Sequence, residues 1–386
     1  MKWINKLLSR APNPIQEVID SGVLRKFADF LQRDDGCELQ HTTVSILINI
    51  SAGEREHVKA VVELGVIPHL VRLMDSSHSK IPKAAAWALG NIAWDGPGYR
   101  DLVLQAGAVQ PLMKLLDQTS DLKSLRRYTW VLTSFCQGDP KPDFNLLRPS
   151  LQKLNELIHH SDREVLTDAC WALSHLTDGY VEDTQVVFDV IGDAGVCRLV
   201  ELLARDDMLA QEPALHILTY IAASGNASGN DSQIQLLLDK GVLPCFLTLL
   251  SSTKVSIVEH VCWAIAIITK KTRHQMQAVI DSGIIPQLIP MLNHERLYIR
   301  KEAAWGISNI LSAGSEEQVK FLLEAGCILP LLGSLTMETK AVIVTNVLKG
   351  IERVRQAFIL CIVLYSCTWY PFLSSNASVC FHIHRF

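Results

Sequence analysis

The sequence predicts an all-α solenoid built from repeats about 42 residues long, and two periodic signals sharing one phase carry that prediction. Tryptophan returns at Trp87, Trp130, Trp171, Trp263 and Trp305, at gaps of 43, 41, twice 46 and 42 residues. One beat is missing, near His216. A glycine followed by apolar residues, often with a proline, keeps the same time. It appears as Gly65-Val66-Ile67-Pro68, Gly107-Ala108-Val109-Gln110-Pro111, Gly241-Val242-Leu243-Pro244, Gly283-Ile284-Ile285-Pro286 and Gly326-Cys327-Ile328-Leu329-Pro330. Gly195-Val196-Cys197 fills the phase between them without its proline.

Residues 65–105 show how one repeat is specified. Gly65 closes a preceding helix, because glycine adopts the left-handed conformation that ends one. An apolar helix then runs from Val66 to Met74, with Pro68 in its first turn, where a missing N–H costs little. Asp75 to Ser79 breaks it. Lys80 to Ala93, rich in alanine and leucine, is a second long helix and carries Trp87. Asp95-Gly96-Pro97-Gly98 is a break, and Tyr99 to Gln105 is a short helix leading to Gly107. Each unit therefore has a short first helix and two longer ones, with tryptophan on the third. Three helices with a short first member favour an armadillo repeat over the two-helix HEAT pattern, and hence a right-handed superhelical solenoid.

Composition narrows the function. Repeats bury their apolar faces only against neighbours, so the array acts as one domain, and 48% apolar residues suffice for a continuous core. A net charge of −4 gives no basic face for nucleic acid. The ten cysteines form no CxxC pair, and Cys37, Cys136, Cys170, Cys197, Cys245, Cys262 and Cys327 read as small core residues in a reducing compartment. Ser224-Gly225-Asn226-Ala227-Ser228-Gly229-Asn230 lacks the lysine of a phosphate loop and reads as a long inter-helix loop. His159-His160 and His382-Ile383-His384 lack companion ligands at metal spacing. Asp34-Asp35 and Asp206-Asp207 fall in inter-helix turns. No nucleophile and base can be assembled, so no enzyme, cofactor or metal is expected.

The repeats occupy residues 1–355, about eight of them, with the first and last incomplete. Residues 356–386 form an atypical apolar tail. Phe358 to Leu373 follows no repeat register, contains Pro371, and is shorter than the roughly 18 to 20 residues of a spanning helix. A membrane anchor is therefore not the reading adopted, and no secretory signal opens the chain.

Tryptophans at equivalent positions form a column along the inner, concave side of such a solenoid. Asparagine follows by four at Trp87/Asn91 and Trp305/Asn309, on the same helix face one turn along. An amide beside an indole in an alanine-rich helix has little to do for packing, which points to ligand binding.

These residues resemble importin-α. The resemblance is carried by Glu302-Ala303-Ala304-Trp305-Gly306-Ile307-Ser308-Asn309, Trp87-Ala88-Leu89-Gly90-Asn91 and Val165 to Ser174. Arg100 to Leu104 and Gln277 to Gly283 carry it too, and it runs from about Lys6 to Arg353. It implies a nuclear import adaptor of cytoplasm and nucleus whose groove binds lysine- and arginine-rich localisation signals of cargo proteins. Extended peptide advances about 3.3 Å per residue, so alternate side chains enter slots between indoles. There the aliphatic stems pack, with cation–π attraction of about 0.5 to 2 kcal/mol each. By this resemblance the major site uses Asn49, Gly53, Trp87, Asn91, Asp95, Trp130, Asp168 and Trp171. Asp95 would receive the critical lysine. The minor site uses Trp263, Glu302, Trp305 and Asn309.

The chain departs from the family at several groove positions. Ser45 stands where the first groove tryptophan is expected, Ser134 at the third asparagine, and His216 and Tyr220 at an arginine and an asparagine. Ile267 replaces the amide paired with Trp263. Val58 stands near a threonine, Ala84 at a glutamine, and His175 at a place that is often polar or aromatic in the family. The expectation is a weakened or altered major site and a poorer minor one. The family's arginine-rich arm, which binds importin-β, has no counterpart before Met1-Lys2-Trp3. Two other readings follow: an armadillo scaffold with altered partner specificity, and a fragment unable to recruit importin-β.

Overall fold

A computed structural model describes residues 1–9, 14–33, 36–205, 208–334, 341, 343–353 and 355. Every regular element among the described residues is a helix. The chain divides into two compact units, Met1–Lys240 and Gly241–Phe386.

The repeat punctuation is set by backbone chemistry. Gly65, Gly107, Gly241, Gly283 and Gly326 all have φ between 66° and 82°. That region is strained for any residue with a Cβ, so each glycine turns the short helix before it into the helix that follows. Gly22, at φ 70°, belongs to the same series and opens an earlier repeat. Proline falls in the first turn of Ile67–Leu73, Ile81–Trp94 and Ile285–Met291. Side-chain caps start others: Asp121 accepts from Lys123 and Ser124 N–H, and Ser315 forms a capping box with Gln318.

Two punctuation readings are corrected. Gly195 is helical and buried; the break lies at Gly192 (φ 56°, ψ −165°), three residues earlier. A Cβ at Gly195 would meet Ile191 Cβ at 2.6 Å, so glycine is needed there for packing rather than for a turn. The run from Ser224 is not a loop: helix Met208–Ser228 continues through it and ends beside Gly229, at φ 81°. Small residues allow this, because a Cβ at Gly225 would lie 2.8 Å from the Asn230 carbonyl oxygen.

In the first unit the third helices of successive repeats, Cys37–Ser51, Ile81–Trp94, Leu122–Cys136, Arg163–Thr177 and Met208–Ser228, pack each against the next. Their inward faces make a continuous core that includes Leu47, Ala85, Leu89, Leu132, Phe135, Leu173 and Leu218. In the second unit Val255–Ile268 packs on Leu297–Ala313. Beyond it, in helix 343–353, Arg353 donates to the carbonyls of Leu311 (3.0 Å) and Gly314 (2.8 Å).

Cys136, Cys170, Cys262 and Cys327 are buried thiols, their pKa raised to about 12 or beyond by burial. Cys37 is instead exposed, because it opens its helix on the solvent side, and Cys197 and Cys245 are half-buried. No helix among the described residues is long and apolar enough to cross a membrane. Phe358–Leu373, His382, His384 and the aspartates Asp34, Asp35, Asp206 and Asp207 lie outside the described residues.

Candidate functional site

The third helices of the first unit bury one broad face and leave a recurring stripe, the tryptophans among it, half-exposed. Around Trp87, Ala84, Ala85, Ala86, Ala88 and Leu89 are all buried, which holds the helix to its neighbours while the indole stays half-exposed. Trp130 is half-exposed between buried Thr129 and Val131, and Trp171 between buried Cys170 and Ala172. The packing is done by small residues, so each large ring is left at the surface.

Asn49, Asn91, Asp95 and Asp168 are half-exposed on these helices or at their ends, and Gly53 is exposed. The asparagines have a packing role that the sequence reading denied them. Asn91 Nδ2 donates to the Ile48 carbonyl at 3.2 Å and to Ser51 Oγ at 3.3 Å. Asn49 Nδ2 donates to Asn5 Oδ1 at 3.2 Å. The amide N–H groups thus tie adjacent repeats together. Gly53 is tightly hemmed: an added Cβ would lie 2.4 Å from His57 Nδ1 and 2.8 Å from Ile15 Cδ1.

Two carboxylates stand in unusual states. Asp95 Oδ2 is buried and has no hydrogen-bond partner, an acceptor left unmet at the end of the helix that carries Trp87. Asp168 is pushed up to about 6, chiefly by burial and further by the charge of Glu164. A cation placed against either would relieve this. Beyond Trp171 the face changes character. His175 stacks on its ring (centroids 5.9 Å apart, 29°) and His216 meets it edge-on (5.6 Å, 90°). Burial holds His175 down to about 4, neutral at physiological pH.

Two participants escaped the sequence reading. Trp94, 53% exposed, stacks on Trp130 with centroids 6.1 Å apart at 30°. Its signal was available, since a residue seven on from Trp87 returns to the same helix face. Arg127 lies with its guanidinium 3.6 Å from the Trp87 ring centroid and 5.7 Å from that of Trp130.

The second unit is built alike but more closed. Trp263 and Trp305 are half-exposed, whereas Glu302 and Asn309 are buried at 3% and 4% exposure. Expected as ligand contacts, these two are inside. Asn309 Nδ2 donates to the Ala266 carbonyl at 3.0 Å, and its Oδ1 accepts from Asn346 Nδ2 at 3.2 Å, so both ends of the amide serve the fold. His260 meets Trp263 edge-on at 6.0 Å, and Lys270 Nζ lies 6.0 Å from the Trp305 ring. Ile267, one turn past Trp263, is buried.

Three-helix repeats presenting half-exposed indoles from their third helices define an armadillo-repeat protein. The armadillo/beta-catenin-like repeat model matches residues 55–94, 230–270 and 272–312. Importin subunit alpha-1b of Oryza sativa subsp. japonica is 44% identical over 353 residues, 90% of this chain and 64% of that protein. Importin subunit alpha-3 of Arabidopsis thaliana is 42% identical over 354 residues, 91% and 65% of the two chains. A crystal structure of an engineered protein superposes with a TM-score of 0.76 at 28% identity, covering 90% of this chain and 82% of that one. The chain is homologous to importin-α subunits over most of its length, and it spans just under two thirds of the length of these two relatives.

Proposed function

We propose that this protein is a binding adaptor, not an enzyme, that takes lysine- and arginine-rich localisation-signal peptides along the Trp87–Trp171 face. Its role would be protein import into the nucleus, working between cytoplasm and nucleus. Homology to importin-α subunits supports the reading, and one observation on the molecule carries it. The helices that present half-exposed indoles also carry carboxylates whose surroundings call for a cation: Asp95, at a helix end, with an unmet buried oxygen, and Asp168, pushed up to about 6 by burial.

The chemistry follows from that arrangement. A lysine stem lying against an indole loses little on desolvation, because its methylenes replace water on the ring. Its ammonium head then reaches Asp95 Oδ2, which gains its missing donor. A charge-assisted bond of this kind is worth about 1.5 to 3 kcal/mol. Asp168, on a later repeat, would take a second cation from the same peptide. The Trp263–Trp305 face offers a weaker version, since Glu302 and Asn309 are buried. The partners would be cargo proteins carrying basic signals; the homologues are named as importin subunits, and a carrier subunit such as importin-β would be the second partner.

Titration of a fluorescent, lysine-rich peptide onto the full chain tests this. Saturable binding at micromolar protein, weakened at least tenfold by Asp95→Lys, is the expected result. Absence of saturable binding, or indifference to Asp95→Lys, would reject the reading.

A further inference from the structure

The slot between Trp87 and Trp130 is already occupied, and by the protein itself. Arg127 sits on helix Leu122–Cys136, three residues before Trp130 and on the same face. From there its guanidinium crosses to the Trp87 ring, 3.6 Å from the centroid, while staying 5.7 Å from the Trp130 ring. Trp94 covers Trp130 as well, stacked at 6.1 Å.

The neighbouring arginine explains why Arg127 is free to do this. Arg126 takes the nearby carboxylates, with Nε and Nη2 on Asp162 (3.0 and 2.6 Å) and Nη1 on Glu164 (2.7 Å). Among the described residues Arg127 has neither hydrogen bond nor ion pair, so the indole face is its principal partner. It is also partly desolvated there, which lowers its pKa.

We propose that Arg127 is a specificity-determining residue: it fills the Trp87–Trp130 slot as an internal ligand and excludes a peptide lysine or arginine from that one position. The inference rests on the peptide-binding reading above and refines it. A cationic side chain entering this slot would exchange one cation–π contact for another of the same kind. It would also set two positive charges side by side on a partly desolvated face. The exchange therefore yields no net attraction. The peptide position facing this slot is selected for a neutral side chain, and basic residues are read at the carboxylates on either side.

The test uses the full chain and a fluorescent peptide with five consecutive lysines, titrated onto wild type, Arg127→Ala, Arg127→Gln, Arg127→Lys and Trp87→Ala. Removing the guanidinium opens the slot, so Arg127→Ala and Arg127→Gln should each bind about tenfold tighter, equivalent to about 1.4 kcal/mol. Arg127→Lys keeps a cation there and should stay near wild type. An alanine scan of the peptide adds a readout that a merely structural role would not move. One lysine should be dispensable for wild type and needed, by about tenfold, for Arg127→Ala. The inference is overturned if folded Arg127→Ala and Arg127→Gln bind no tighter while Trp87→Ala weakens binding; the peptide-binding reading then survives. If no variant binds, both fall.

Discussion

Asn91 reaches back across 3.2 Å to the carbonyl oxygen of Ile48 on the preceding third helix. In the other unit Asn309 repeats the contact on Ala266 at 3.0 Å, and in both cases a hydroxyl three residues further on, Ser51 or Thr269, lies within 3.5 Å. The asparagine that accompanies a surface tryptophan is thus a clasp between repeats. Asn309→Ala removes a buried amide with partners at both ends and should cost about 2 kcal/mol, while half-exposed Asn91→Ala should cost about 1 kcal/mol. Urea denaturation of each variant measures the difference. Equal, negligible losses would show that the clasps hold nothing.

Gly90 lies three residues after Trp87 and Gly306 one after Trp305, both inside third helices, and their surroundings differ. A Cβ at Gly90 would meet Trp130 Cζ3 at 2.7 Å and Val131 Cγ2 at 2.9 Å, whereas at Gly306 the nearest atom is 3.5 Å away. Gly90→Ala should therefore displace the Trp130 ring and destabilise by about 1 to 3 kcal/mol. Gly306→Ala should be neutral or slightly stabilising, since it stiffens a helix. Thermal melts of the two variants provide the comparison, and equal behaviour would contradict it.

Asp168 makes the face sensitive to pH. Its carboxyl titrates near about 6 when folded, against 3.8 for an ordinary aspartate, so the folded state holds the proton more tightly. The stabilisation this brings is full below the ordinary value and is lost as pH rises through the folded one. Asp168→Asn should accordingly stabilise the protein at pH 8 and change little near pH 4. Peptide binding runs the other way. A bound cation favours the ionised carboxylate, so affinity should fall as pH drops from 7 to 5, and Asp168→Asn should flatten that dependence. A pH series of peptide titrations reads both; an unchanged slope in the variant would remove Asp168 from the site.

Arg100 is the deepest charge in the first unit, fully buried, with Nη1 on the Gln137 carbonyl (2.6 Å), Nη2 on that of Pro140 (2.8 Å) and Nε on Asp101 (2.9 Å). Arg100→Ala empties a fully buried site and takes the donors from two carbonyls, and should cost about 3 kcal/mol or more. Lys114, in an exposed ion pair with Asp75, should cost under about 1 kcal/mol when replaced by alanine. Denaturation midpoints separate the two, and a mild Arg100→Ala would contradict the role assigned to it.

The period and its helices were legible because one residue type decides each. Glycines at φ near 70° to 80° fall at the positions read as helix ends, and the third helices start and stop within a residue of the alanine-rich runs. Where the sequence misled, a tertiary contact had overruled a local cue. Gly195 and Gly225 look like turn residues but are there because neighbouring atoms leave no room for a Cβ. Asn309 and Glu302 carry the right spacing for a surface role, yet both are buried, Asn309 against Ala266 of the preceding repeat. Arg127 could not have been found from spacing, since its placement depends on Arg126 capturing the carboxylates of another repeat.

The central claim is that particular indoles meet cationic side chains in solution, and the eight tryptophans give it a direct measurement. Each contributes one indole N–H resonance, assignable by single Trp→Phe variants of ¹⁵N-labelled protein. On titration with a lysine-rich peptide, the signals of Trp130 and Trp171 should shift saturably, with that of Trp87 following once Arg127 is replaced, while Trp3 stays fixed. Shifts confined to Trp3, or none at any indole under conditions where the peptide binds, would contradict the account.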